Sequence, residues 1–114
     1  MPRINSYSFG RIVIDGKTYM SDVIIFSDRV KADWWRKEGH ELNSEDITEI
    51  IEEKPDLLIV GKGAYGLMKI KEETKRILEE NNIKLIAKKT SEACKIFNEK
   101  SGKEKVVAAL HLTC

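Results

Sequence analysis

"LLIVGKGAYGLMKI", residues 57–70, decides how the chain is read. It opens on an apolar run, 57–60, and continues as Gly61-x-Gly63-x-x-Gly66. An unbroken apolar run of this kind suits a strand buried on both faces. The glycine spacing is that of a dinucleotide-binding loop. Such a loop works because a helix opens at it, so that free N–H groups and the helix dipole meet the pyrophosphate. Here Leu67, Met68, Lys69 and Ile70 follow Gly66 and do not resemble the first turn of a helix. An acidic first turn arrives only at Glu72-Glu73, and its carboxylates would repel a phosphate. The acidic residue expected about 20 positions further on is missing too, since the next strand ends in Lys88-Lys89. The loop therefore reads as a tight turn that needs glycine φ values. An anion nest of backbone N–H groups at Gly61-Lys62-Gly63, with Lys62 as the neighbouring cation, stays open.

Downstream, the chain alternates helix and strand. Asn43 or Ser44 can cap a helix that has Glu45 and Asp46 in its first turn and Ile47, Ile50 and Ile51 on one face. Pro55 stops it. A second helix starts at Glu72-Glu73 and buries Ile77 and Leu78, and residues 83–87 form the next short strand. Thr90 is positioned to cap a third helix with Ala93, Ile96 and Phe97 inward. Residues 106–112 close the chain as a strand. Upstream, Asp15-Gly16 fills a two-residue type I′ turn, which predicts a hairpin joining residues 8–14 to 17–26. A further short strand is expected at 29–31. The predicted fold class is α/β (a mixed α+β arrangement): an N-terminal antiparallel hairpin or meander followed by βαβαβ-type units, in one mixed sheet packed with about three helices.

With 114 residues the chain is expected to form a single compact domain, 1–114. A chain of this size buries roughly 65% of its unfolded surface and supports a core without staples. It has no room for the cofactor and substrate domains of a dehydrogenase, and no cofactor is expected. Twenty basic and 19 acidic residues leave a net charge of +1. That balance gives no field to attract nucleic acid or an anionic membrane. Cys94 and Cys114 make neither a metal-type pair nor a disulfide framework. "MPRINSYSFG" lacks the apolar core of a signal peptide, and no apolar stretch approaches the ~18 residues of a membrane span. A cytoplasmic location is expected.

Two further stretches carry chemistry-capable residues. In "AALHLTC", residues 108–114, His111 and Cys114 could converge with Gly61, Gly63 and Thr90 if the three late strands run parallel, because ligands of open α/β sheets bind beyond the carboxyl ends. Residues three apart along a strand face opposite ways, which disfavours a Cys–His pair. In "DWWRKEGHEL", residues 33–42, only one of Trp34 and Trp35 can face the core of an extended segment. The other, with Arg36, suits an interface or pocket wall. His40 lies between Glu38 and Glu41, so it could serve as a carboxylate-held base. No second cluster completes a metal site, and no metal is expected. Asp22 and Ser8 are polar within apolar strands and read as marking bulges.

Several separated stretches occur together in order: "SYSFGRIVIDG", "YMSDVIIF", "WWRKEGHEL", "PDLLIVGKG", "TSEACKIFN" and "AALHLTC". In these the chain resembles a family of small uncharacterised α/β domains typified by a methanogen hypothetical protein. The family includes the adipogenesis-associated protein of animals and, more distantly, the mitochondrial complex I assembly factor. The resemblance implies a compact α/β fold and points towards assembly or protein–protein roles, without supplying a reaction. The expected function is a non-catalytic interaction or assembly module, with a protein partner or a second copy, and with a small anionic ligand at Gly61-Lys62-Gly63. The alternative is a small enzyme whose pocket uses Arg36, His40 or His111. Convergence of at least two of Arg36, His40, Thr90 and His111 on a pocket is the feature the enzyme needs. An exposed apolar patch at Trp34 and Trp35 is what the binding module needs.

Overall fold

The computed structural model describes residues 2–114. Strands β1 (Ile4–Ser8), β2 (Arg11–Ile14) and β3 (Lys17–Tyr19) form an antiparallel sheet in that order. The Asp15-Gly16 turn joins β2 to β3 with φ of 49° and 79°, the two positive values a type I′ turn requires. The expected second arm, 17–26, is broken. Residues 20–22 carry the chain out of this sheet, and it enters a second one as β4 (Val23–Ile25), followed by β5 (Val30–Lys31). Strand β1 was not foreseen, because "INSYS" offers one buried apolar residue, Ile4, and no apolar alternation.

Strand β6 (Glu41–Leu42) comes next. A 3-10 turn, Ser44–Ile47, then leads into α1 (Thr48–Glu53), where Lys54 ends the helix in the left-handed region just before Pro55. The remaining elements are β7 (Leu57–Lys62), β8 (Lys69–Ile70), α2 (Glu72–Glu80), β9 (Lys84–Lys88), α3 (Thr90–Lys100) and β10 (Val106–His111). Beyond Gly66 the chain extends into β8, which pairs in parallel with β6. No helix opens at the glycine turn, as a dinucleotide loop would need.

The main sheet has the order β5-β4-β10-β7-β9. Strands β10, β7 and β9 are parallel, and β4 runs antiparallel to β10. Alternate side chains of the two central strands feed two cores. Leu57, Ile59, Val106, Ala108 and Leu110 pack with α3 through Ala93 and Phe97. On the other face Leu58, Val60, Val107 and Ala109 pack with Ile47, Ile50 and Leu78. Each fully buried Val, Leu or Ile stabilises by about 1.5–3 kcal/mol relative to exposure, which is why these strands read as continuous apolar runs. The fold is thus a mixed α+β arrangement with three α-helices, and the N-terminal strands form a separate antiparallel sheet. Among the described residues no helix is long and apolar enough to cross a membrane.

Candidate functional site

Topology builds the site. Strand β4 pairs antiparallel with β10, with Val23 opposite Leu110. Asp22, just before β4, therefore arrives beside the end of β10, where His111 and Leu112 lie. Asp22 Oδ1 accepts the Leu112 N–H at 2.7 Å, and Oδ2 lies 2.8 Å from His111 Nδ1. Arg36 completes the cluster. Its Nη1 donates to Asp22 Oδ2 at 2.8 Å, and its Nη2 donates to Gly39 O at 2.9 Å and lies 3.0 Å from His111 Nδ1. The guanidinium stacks on the buried Trp34 ring, 4.8 Å from its centroid. The side chains of Arg36 and His111 are only 4% and 8% exposed. His40 stands edge-on to His111, ring centroids 6.2 Å apart.

Burial alone would push the Asp22 carboxyl up. Hydrogen bonds from His111, the Leu112 N–H and Arg36 outweigh it and hold the carboxyl below its ordinary range. Asp22 is therefore ionised near neutral pH. His111 Nδ1 stands between an acceptor, Asp22 Oδ2, and a permanent donor, Arg36 Nη2, and the tautomer of the ring decides which of the two it serves. Two polar atoms of the cluster are buried without a hydrogen-bond partner among the described residues: His111 Nε2 and Arg36 Nε. Each such atom costs about 1–3 kcal/mol.

A cavity of about 330 Å³ adjoins the cluster, lined by Met20, Asp22, Trp35, Arg36, His111 and Thr113 among others. Met20 and Trp35 are 72% and 83% exposed. The adjacent tryptophans thus divide as an extended segment demands, Trp34 inward and Trp35 outward.

The glycine turn lies behind His111. Gly63 N–H donates to Thr90 Oγ1 at 2.9 Å, and Thr90 Oγ1 donates to His111 O at 2.5 Å. Ala64 N–H donates to Thr113 O at 2.8 Å, and Gly66 N–H to Gly63 O at 3.2 Å. These groups clamp the chain end and do not present an open anion cradle. A Cβ on Gly63 would stand 2.7 Å from Thr113 O and 3.0 Å from His111 Cδ2. Thr90 is the first residue of α3 and not its cap, since its hydroxyl is spent on this clamp. Lys62 turns to another groove, shared with Lys69 and Lys75.

Of the residues singled out in sequence, Gly63, Thr90 and His111 meet at the carboxyl edge of the parallel strands, and Arg36 and His40 join His111 from the loop before β6. Lys62 does not join them. Asp22, read only as a bulge marker, is the hub of the cluster. Its signal was a carboxylate placed just ahead of an apolar strand. His111 Nδ1 is engaged by Asp22 and not by Cys114. Among the described residues no three His, Cys, Asp or Glu side chains gather as a metal site.

The profile of a family described as "Protein of unknown function (DUF498/DUF598)" matches residues 4–111. A conserved hypothetical protein from Pyrococcus horikoshii is 31% identical, with 98% of this chain and 99% of that one covered and a TM-score of 0.85. A protein named MT938 is 28% identical over the whole of both chains, with a TM-score of 0.80. A structure named as an outer membrane protein from Bartonella henselae is 23% identical, covers 97% of this chain and 94% of its own, and has a TM-score of 0.84. At that identity the likeness is one of fold.

Proposed function

The chain belongs to the DUF498/DUF598 family of proteins of unknown function, and from that premise we propose a binding module that holds a small ligand carrying a hydrogen-bond acceptor beside Arg36 and His111. The observation that carries this reading is the pair of buried atoms without partners, Arg36 Nε and His111 Nε2, next to a cavity of about 330 Å³. That size falls in the ~300–1,000 Å³ range of small-molecule sites. The Nε–H of Arg36 is a donor that never loses its proton, so the ligand must bring an acceptor. The glycine turn is the weaker candidate, because the N–H groups of Gly63, Ala64 and Gly66 are taken internally. We place the module in the cytoplasm as one folding unit, in keeping with its two free cysteines.

Native mass spectrometry of protein purified gently from its own cells, paired with denaturing spectra, tests the reading. Expected is an extra mass of a few hundred daltons, on the scale of a ligand that such a cavity holds, lost on denaturation. A bare chain at every concentration removes the ligand.

A second reading has one observation in its favour. Met20 and Trp35 are large, exposed and at the rim of the same cavity, which suits docking of a protein partner over it. Co-purification of a second chain at fixed stoichiometry would support this reading. The enzyme alternative would use His111, held by Asp22, as a proton acceptor. Arg36 and His111 both line the cavity, which is the convergence such an enzyme needs, but the family supplies no reaction for it.

A further inference from the structure

We propose that the outer edge of β9 is a docking site for an extended acidic segment of a partner protein, which adds to the main sheet as a further strand. Strand β9 ends the sheet, and among the described residues its only neighbouring strand is β7. Lys84 N–H donates to Asp56 O, so Lys84, Ile86 and Lys88 direct their backbone groups towards β7. By strand alternation the N–H and C=O groups of Leu85 and Ala87 point outwards. Among the described residues no strand meets them.

The charges along this edge differ from those at the opposite edge. Beside β5, Arg29 and Lys31 are paired with Glu49 and Glu53 at 2.6–3.5 Å. Beside β9, Lys62, Lys69, Lys84 and Lys89 have no ion pair among the described residues. Lys75 reaches only the exposed Glu72 at 3.3 Å, and Lys88 stands 4.0 Å from Glu92. A local excess of cations therefore lines an edge in a chain whose net charge is only +1. Between the cations is an apolar floor. Leu67, Ile70, Leu85 and Ala87 line a groove with Lys62, Lys69 and Lys75, and a second groove, where Glu79 is the one acidic residue, continues from Leu85 and Lys75 to Lys84.

Lysines on a strand edge commonly prevent edge-to-edge association, and here they do so against a second copy. Antiparallel self-pairing of residues 84–88 about Ile86 would set Lys84 opposite Lys88 twice, and like charges directly opposite are destabilising. The same lysines favour a strand of opposite sign. Backbone hydrogen bonds would supply affinity and the flanking side chains specificity, as in other cases of strand addition. The occupant is thus a peptide segment with carboxylates on the side facing Lys84 and Lys88 and apolar residues facing Leu85 and Ala87.

The probe is a labelled peptide of alternating Glu and Val, read by fluorescence anisotropy at low and high salt, with a Lys/Val peptide as its charge-reversed counterpart. The Glu/Val peptide is expected to bind, to weaken with salt and to slow amide exchange at Leu85 and Ala87, while the Lys/Val peptide stays free. Ala87→Pro deletes an outward N–H at a half-buried position, and edge strands tolerate proline. Lys84→Glu with Lys88→Glu alters exposed positions and leaves the fold intact. Each should weaken binding about tenfold, the worth of one or two hydrogen bonds or charge pairs. Absence of binding, equal binding of both peptides, or binding without protection of Leu85 and Ala87 overturns the proposal.

Discussion

The carboxylate of Asp22 and the imidazole of His111, 89 positions apart in sequence, meet at 2.8 Å. Neither strand alone could place them. The break at residues 20–22 sends the chain from one sheet to the other, and the antiparallel β4–β10 pairing then brings Asp22 beside the carboxyl end of β10. Arg36 closes the arrangement from a loop, so three ionisable groups from three separate segments share one spot.

Breaking that arrangement at its hub should be expensive. Asp22→Asn keeps the shape but removes the charge that offsets the Arg36 guanidinium, which is 4% exposed. An uncompensated buried charge costs about 3–5 kcal/mol. Urea denaturation of the variant should show a loss of about 3 kcal/mol, with the m-value unchanged. A loss below about 0.5 kcal/mol, the scale of an ordinary surface change, would mean the cluster is already open to water.

The same carboxylate sets an acid limb. Its folded pKa lies below the ordinary value because hydrogen bonds from His111, Leu112 and Arg36 outweigh the opposing effect of burial. A depressed carboxylate stabilises fully above its unfolded pKa, roughly 3.9. The contribution is lost as the pH falls through the folded value. Stability of the wild type should therefore drop below about pH 4, and Asp22→Asn should flatten that part of the profile. Equilibrium unfolding at a series of pH values reads both.

Two glycines with positive φ separate backbone strain from crowding. Gly16 has φ of 79° with nothing near its would-be Cβ, whereas Gly63 has φ of 99° and the chain end packed against it. Gly16→Ala should cost about 1 kcal/mol from the backbone alone. Gly63→Ala should cost at least about 2 kcal/mol, since strain and displacement of residues 111–114 add. Thermal unfolding gives the order, and the His111 ring resonances should shift only in the Gly63 variant.

Thr90→Val is nearly isosteric and removes one oxygen. That oxygen joins Gly63 N–H to His111 O. Its loss leaves a buried donor and a buried acceptor unpaired, for about 2 kcal/mol. Amide exchange at Gly63 should accelerate in the variant. Unchanged exchange would show that the clamp does not hold the turn.

Legibility in the sequence followed the range of the interaction. Residues 57–60 and 106–112 were readable as strands because both faces of the sheet demand apolar side chains. The turn at Asp15-Gly16 was readable because two positive φ values demand those residues. β1 was not, since its pairing with β2 rests on backbone groups that leave no apolar alternation in "INSYS". β6 and β8 were too short to show a period. In the site, Arg36, His40 and His111 were visible as residue types, and Asp22 was visible only as an anomaly. Its partners lie 14 and 89 positions away, so only the strand order could assign them.

The adjacent tryptophans offer the sharpest separation of stability from binding. Trp34 is 4% exposed, stacks under Arg36 and donates its indole N–H to Asp46 O at 3.3 Å, while Trp35 is 83% exposed. Trp34→Ala empties a large core volume and should cost about 3–5 kcal/mol. Trp35→Ala touches little and should change stability by less than about 0.5 kcal/mol. If the cavity beside Arg36 holds a ligand or seats a partner, Trp35→Ala should nonetheless weaken that association several-fold, because exposed aromatics at a pocket mouth contribute when they are covered. Equilibrium denaturation of both variants, set beside the bound mass retained by Trp35→Ala in native spectra, reads the two effects independently. A Trp35 variant with full stability and undiminished retention of its bound molecule would place the binding surface elsewhere on the chain.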